Sequence, residues 1–191
     1  AGNGIVVGDA GTGSLTMNGG LVIVGGTLSK GASGTINLNA GGRLQIGAGG
    51  SSGELATSVT NNGTLIFNRS DDSSYGNVIS GSGNIVKQGA GVLGLSGLNT
   101  VTGTTTISGG SIRLDNAGAL AGSSVVPASG GKLSVAPYLE ASVARLAPNA
   151  GGLTDVSNAK LTVSSGLSTS DLVTALLAGR NGGTWDGTTG I

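Results

Sequence analysis

Short runs in which apolar and polar residues alternate recur along the whole chain, and most open on a glycine. They read Gly13-Ser14-Leu15-Thr16-Met17, Gly34-Thr35-Ile36-Asn37-Leu38, Gly42-Arg43-Leu44-Gln45-Ile46 and Gly63-Thr64-Leu65-Ile66-Phe67. They return as Gly91-Val92-Leu93-Gly94-Leu95, Gly110-Ser111-Ile112-Arg113-Leu114 and Gly131-Lys132-Leu133-Ser134-Val135, with a late variant at Ala159-Lys160-Leu161-Thr162-Val163. A period of two is the signature of a half-buried strand, and the Gly, Asn and Ser clusters between runs are turn signals. Leu44/Ile46, Leu65/Phe67 and Ile112/Leu114 then share one side of a pleated strand and point inward, while Arg43, Gln45, Ser111 and Arg113 point to solvent.

Units starting at Gly42, Gly63, Gly83, Gly110 and Gly131 are separated by 21, 20, 27 and 21 residues. A repeat of about 20 residues predicts a solenoid, because one such unit cannot bury its apolar stripe until neighbours stack on it. Two or three short strands per coil, joined at Gly/Asn corners, make a parallel β-helix. Eight or nine coils at about 4.8 Å give a rod on the order of 40 Å long. An antiparallel sandwich or barrel also uses short strands, but it does not call for a sustained 20-residue period. The Asn-Gly pairs Asn3-Gly4, Asn18-Gly19, Asn62-Gly63 and Asn181-Gly182 are read as corners needing positive φ. Three stretches interrupt the pattern: 49–57, 68–76 and 138–154. The last contains the alternation Val143-Ala144-Arg145-Leu146 and is read as strand.

The tail differs. Ser168-Thr169-Ser170-Asp171 followed by Leu172, Val173, Leu176, Leu177 and Gly179 predicts an amphipathic helix over about 169–178, with a capping-box-like start and a glycine stop. Trp185 follows it. The expected organisation is a β-solenoid over 1–167 and a C-terminal helix with a capping or docking segment over 168–191.

Composition narrows the function. Forty glycines among 191 residues, without a Gly-X-Y period and with three prolines, exclude collagen. Evenly spaced Leu, Ile and Val argue against a disordered linker. Nine acidic and nine basic side chains are scattered singly, so there is no basic patch for nucleic acid. No apolar run reaches the length of a membrane-spanning helix, so no membrane insertion by this segment is expected. Without cysteine there is neither a disulfide framework nor a thiolate metal site. No signal peptide is visible at Ala1, so the chain is expected to be either mature or a fragment.

The run from Gly81 to Gly110, GSGNIVKQGAGVLGLSGLNTVTGTTTISGG, resembles the autotransporter-associated β-strand repeat. In that family G-x-L-x-K-x-G-x-G-x-L-x-L-x-G is followed by N-x-x-x-G-x-T-x-I-x-x-G-x-L. The likeness is good over 81–120 and degenerate over 13–67, and after Asn116 the repeat is not re-established in register. The resemblance implies a right-handed parallel β-helix in large exported bacterial surface proteins. The segment from Leu172 to Ile191 is similar to one near the end of such repeat regions, for which it implies no chemistry.

Candidate chemistry is sparse. Absence of His and Cys removes Ser-His-Asp triads, cysteine nucleophiles and the usual zinc sites together. Gly49-Gly50-Ser51-Ser52-Gly53 has the G-x-S-x-G spacing but no base and no strand-to-helix context, so it reads as a corner. Gly89-Ala90-Gly91-Val92-Leu93-Gly94 opens no helix and fails as a dinucleotide fingerprint. The one adjacent acid pair, Asp71-Asp72, lies in a polar stretch ending at Tyr75. It reads first as a solvated loop. Its functional reading is a weak Ca²⁺ contact or a carbohydrate edge with Tyr75 as the stacking ring. The threonines between Thr100 and Thr106 are too few for an ice-binding face.

The sequence therefore predicts a non-enzymatic structural solenoid, without cofactor or metal, at the bacterial cell surface or outside the cell. Terminal coils carry unpaired backbone groups, so the expected partner is a second copy, head to tail. The expected contact joins Ile5, Val6 and Val7 to Leu172, Leu176 and Trp185. The alternatives are a passenger fragment of an autotransporter-type adhesin and a β-helix that binds or cleaves a cell-surface or matrix polysaccharide.

Overall fold

A computed structural model describes residues 4–147 and 151–165. The tail helix expected at 169–178, with Leu172, Leu176 and Trp185, lies outside the described residues. Twenty strands follow one another in the described part. The first coils hold β1 (Ile5–Val7), β2 (Ser14–Met17), β3 (Leu21–Val24), β4 (Thr27–Lys30), β5 (Thr35–Leu38), β6 (Arg43–Ile46), β7 (Glu54–Leu55) and β8 (Val59–Asn61). The middle holds β9 (Thr64–Asn68), β10 (Ser73–Tyr75), β11 (Ile79–Ser80), β12 (Asn84–Gln88), β13 (Val92–Leu95) and β14 (Thr104–Ile107). Then come β15 (Gly110–Leu114), β16 (Leu120–Pro127), β17 (Gly131–Val135), β18 (Glu140–Leu146), β19 (Leu153–Asp155) and β20 (Lys160–Ser165).

Every ladder is parallel, and each strand pairs with one a full coil away, so the chain is a β-solenoid. The longest sheet runs β3-β6-β9-β12-β14-β16-β18-β20, eight strands deep and about 34 Å along the axis at the usual strand spacing. A second face is β2-β5-β8-β11. A third is β1-β4-β7, resuming as β10-β13-β15-β17-β19. Successive partners are about 20 residues apart, as Leu65, Ile85, Thr105 and Val125 show.

Stacking turns the period-two pattern into columns. Leu44, Leu65, Ile85, Thr105, Val125 and Leu146 lie one above another in register inside the long sheet, and all are buried. Arg43 and Arg113 point outward, with Gln45 and Ser111 half-buried among the outward rows. Covering one such Leu or Ile is worth roughly 1.5–3 kcal/mol, and only the neighbouring coils supply that cover.

The next inward column reads Val24, Ile46, Phe67, Lys87, Ile107 and Pro127, so a lysine replaces an apolar residue in mid-column. Lys87 is buried, and its ammonium donates to the carbonyls of Gln88 at 2.6 Å, Gly89 at 2.9 Å and Gly109 at 3.4 Å. Two other inward polar residues are likewise satisfied. Asn99 accepts from the Ile79 amide and donates to Ala119, and Asn61 bonds Asn84 and Gly63.

Two expectations change. The stretches 49–57 and 68–76 are not interruptions: they contain β7 and β10, each contributing one inward residue, Leu55 and Tyr75. Nor does the Asn62-Gly63 corner use positive φ. Gly63 is required because a methyl there would run into the carbonyl oxygens of Gly42 and Asn39 in the coil below. At Asn18-Gly19 the positive φ falls one residue later, on Gly20. The stretch around Val143 is strand, as read, with a register irregularity where Leu120 and Ser124 of β16 meet Val143 and Arg145 of β18.

Candidate functional site

The described end of the column with the most apolar exposure is its first coil. β1, β2 and β3 are each the outermost strand of their sheet, and among the described residues nothing pairs with their outer sides. The carbonyls of Val7, Gly13, Met17, Gly20 and Val24 accept bonds from the second coil. Residues of a strand alternate in the direction of their backbone groups. Val6, Ser14, Thr16, Leu21 and Ile23 therefore turn their N–H and C=O groups to the free side.

The side chains follow the same geometry. Ile5 and Val22 point inward, stacked in register on the buried Leu28 and Leu44, yet they are 49 % and 37 % exposed because none of the described residues forms a coil over them. Val6, Leu21 and Ile23 point outward at 51 %, 47 % and 51 % exposed. The result is an apolar end surface framed by three strand edges, with no lysine, proline or bulge to blunt it among Ile5–Val7, Ser14–Met17 and Leu21–Val24.

Of the six residues expected to carry association, Ile5 and Val6 are exposed at this edge and Val7 is half-buried in the same strand. The other three lie outside the described residues. Leu21, Val22 and Ile23 were missed. Their signal was the run Leu21-Val22-Ile23-Val24, four apolar residues with no alternation, which marks a strand without a solvated face.

The acid pair lies in a loop at the surface, as first read, and each carboxylate has its own partner. Arg69 holds Asp71 with two bonds, Nε–Oδ1 at 2.9 Å and Nη2–Oδ2 at 2.7 Å, and its remaining amino group donates to the Gly53 carbonyl. The guanidinium keeps the Asp71 carboxyl below its usual range. Asp72 Oδ1 accepts from the Val92 amide at 2.9 Å, tying one coil to the next. Tyr75 is not a stacking ring at the surface. It is buried beside Phe67, ring centres 5.8 Å apart, and its hydroxyl donates to the Thr57 carbonyl at 2.7 Å. Burial pushes that phenol well above its ordinary pKa.

These side chains bridge a gap. β7 and β10 are one coil apart on the same face but form no ladder, leaving a recess of about 290 Å³ lined by Glu54, Leu55, Arg69, Asp72, Ser73 and Tyr75, among others. Arg69 and Tyr75 replace the missing backbone bonds across it. Among the described residues no three Asp, Glu, His or Cys side chains gather as a metal site would need. Gly49–Gly53 and Gly89–Gly94 are a corner and a corner leading into β13, as their sequence context implied. No helix of the described residues is long and apolar enough to cross a membrane.

Compared with known proteins, the chain matches no family model, no curated protein and no solved structure.

Proposed function

We propose that the chain is a non-enzymatic structural β-solenoid of the bacterial surface or extracellular matrix, joined end to end into a fibre. The observation that carries this is the first coil: three strand edges and an apolar end surface on one end of a column. A single extended peptide would satisfy one of the three edges. Another copy satisfies two of them at once, since β19 and β20 close two of the three faces at the other described end, which favours a second copy. The contact would join Ile5–Val7 and Leu21–Ile23 to the last coil of the next copy, with the apolar side chains of Leu172, Leu176 and Trp185 expected to pack beside the strand edges rather than to pair with them. Export is supported by the likeness of 81–120 to the autotransporter-associated repeat and by the absence of cysteine. That likeness also favours a second reading, a passenger segment of an autotransporter-type adhesin, in which the same edge meets a further coil of the same polypeptide.

Negative-stain microscopy and sedimentation over rising concentration test the first reading. The wild-type chain forms filaments or a growing series of oligomers. Val6→Lys with Ile23→Lys, both outward on the edge, leaves a folded monomer. Dispersed monomers at every concentration in the wild type would sink it.

A further inference from the structure

Two Asn-Gly pairs lie among the described residues, Asn18-Gly19 and Asn62-Gly63, and the same dipeptide meets opposite surroundings. An Asn-Gly pair is open to a reaction of the side chain with its own backbone. The glycine nitrogen, on giving up its proton, attacks the asparagine Cγ. A C–N bond forms, the side-chain nitrogen leaves as ammonia with that proton, and a five-membered succinimide remains. Solvent water then opens the ring at either carbonyl. The product is aspartate, or isoaspartate with one extra carbon in the main chain. Glycine favours the attack because it has no Cβ in the way and its backbone turns freely. The outcome then depends on whether the corner can turn and whether the glycine N–H is already engaged.

At Asn62-Gly63 the corner is held from both sides. The Asn62 backbone N–H donates to the Leu38 carbonyl at 2.7 Å in the coil before it. Its side-chain Oδ1 accepts from the Ser82 amide at 3.0 Å and the Ser82 hydroxyl at 3.3 Å in the coil after it. The nucleophile itself is spoken for, since Gly63 N–H donates to Asn61 Oδ1 at 3.2 Å. Gly63 is buried against the carbonyls of Gly42 and Asn39. At Asn18-Gly19 these restraints are missing. The pair forms the corner between β2 and β3, in the first coil. Asn18, Gly19 and Gly20 are all exposed, and a Cβ at either glycine would meet nothing within 4 Å. Among the described residues the Gly19 N–H has no partner. The Asn18 side chain makes one bond, accepting from Asn39 Nδ2 at 2.7 Å, which leaves its own amide nitrogen free to depart. That donor sits on the oxygen where negative charge builds as the ring closes, so it assists the step.

We propose that Asn18-Gly19 is a self-modification site, converting to aspartate and isoaspartate in the folded protein, while Asn62-Gly63 is protected by the coils stacked on it. The change replaces a neutral amide by a carboxylate on a chain that carries no net charge, and it does so beside the Leu21–Val24 edge. Isoaspartate also lengthens the connection between β2 and β3. One consequence rests on the end-to-end reading. A carboxylate at this corner has to be stripped of water when the next copy docks, so a converted chain joins less well and assembly favours fresh chains.

Peptide mapping by mass spectrometry during incubation at mildly alkaline pH follows both pairs. It is run on the wild type at low concentration and on Val6→Lys/Ile23→Lys, whose charged edge keeps copies apart. Asn18 should convert at least about tenfold faster than Asn62, because reaction at Asn62 waits for local opening of a stacked corner. In denaturant the two rates should converge, since the dipeptides are then alike. Gly19→Ala, for which the corner has room, should slow conversion at Asn18 without unfolding the coil. Equal rates at the two pairs in the folded protein overturn the proposal, as does an Asn18 that stays intact while denatured chains convert. Sedimentation of aged wild type beside equally aged Asn18→Ser reads the consequence. Fewer oligomers in the aged wild type support it, and equal oligomers overturn it. If neither protein assembles, the end-to-end reading fails, while the peptide map still decides the modification.

Discussion

Replacing Lys87 tests how the column tolerates an ammonium in its apolar interior. The side chain sits between Phe67 and Ile107 and satisfies the carbonyls of Gln88, Gly89 and Gly109. Lys87→Met keeps the aliphatic volume and removes the donors. A buried acceptor left without a donor costs about 1–3 kcal/mol, and three share the loss here. Part of it is offset because the ammonium no longer has to be kept out of water. The net expectation is a destabilisation of about 2–3 kcal/mol for Lys87→Met. Lys87→Ala adds a cavity and should reach about 4–5 kcal/mol. For a chain of this length 1 kcal/mol moves the midpoint by about 2–4 °C, so Lys87→Met should melt about 4–12 °C lower. Thermal unfolding followed by far-ultraviolet circular dichroism reads this directly. Burial lowers the Lys87 pKa, with Asp72 opposing. Between that lowered value and 10.5 the unfolded chain holds the proton that the folded chain has released. The Lys87 contribution therefore makes wild-type stability rise with pH in that window, and Lys87→Met lacks the rise. A Lys87→Met protein as stable as wild type would refute the reasoning, since the carbonyls would then need no donor.

Three further outcomes follow from the same geometry. Tyr75→Phe leaves the Thr57 carbonyl without its donor and should cost about 1–2 kcal/mol in denaturant unfolding. The buried phenol has a raised pKa, so its contribution is complete below the ordinary value of 10.0 and is lost as pH rises above it; Tyr75→Phe should show a weaker alkaline decline than wild type. Gly63→Ala pushes a methyl into the Gly42 and Asn39 carbonyls and should cost about 1–3 kcal/mol, with a melting point equal to wild type counting against a close-packed corner. Asp155 is held below its usual pKa first by the Lys132 ammonium, 2.7 Å away, and then by Ser157. Its contribution is present above the ordinary value of 3.8 and lost as pH falls through the lowered one. In Lys132→Ala the Asp155 titration followed by NMR should move upward, and an unmoved titration would show that the pair is not formed in solution.

The coil was legible because its inward residues come in pairs two apart, as at Leu44/Ile46 and Ile112/Leu114, and because those pairs recur every 20 or so residues. Where a strand offers a single inward residue the signal vanishes. Leu55 and Tyr75 have no second large apolar residue two positions away, so β7 and β10 read as loop although they sit on the same face as β13. Lys87 was visible as a lysine at an apolar position of the repeat, but its corner of three carbonyls comes from Gly89 and Gly109, one coil apart, and only stacking brings them together. The acid pair was legible as a solvated loop but not as to partners: Asp71 turns to Arg69 and Asp72 to the amide of Val92, so the two carboxylates share no site. The end surface was half legible. Ile5–Val7 stood out by position, while Leu21–Ile23 joins them only once three strands close into a coil.

The central claim is that the first-coil edge is a binding edge, and residue-resolved hydrogen exchange over a range of protein concentrations tests it most directly. The amides of Val6, Ser14, Thr16, Leu21 and Ile23, which face the free side, should gain protection as concentration rises, while those of Val22 and Val24, already turned to the second coil, should hardly change. Free-side amides that exchange equally fast at every concentration would contradict the account.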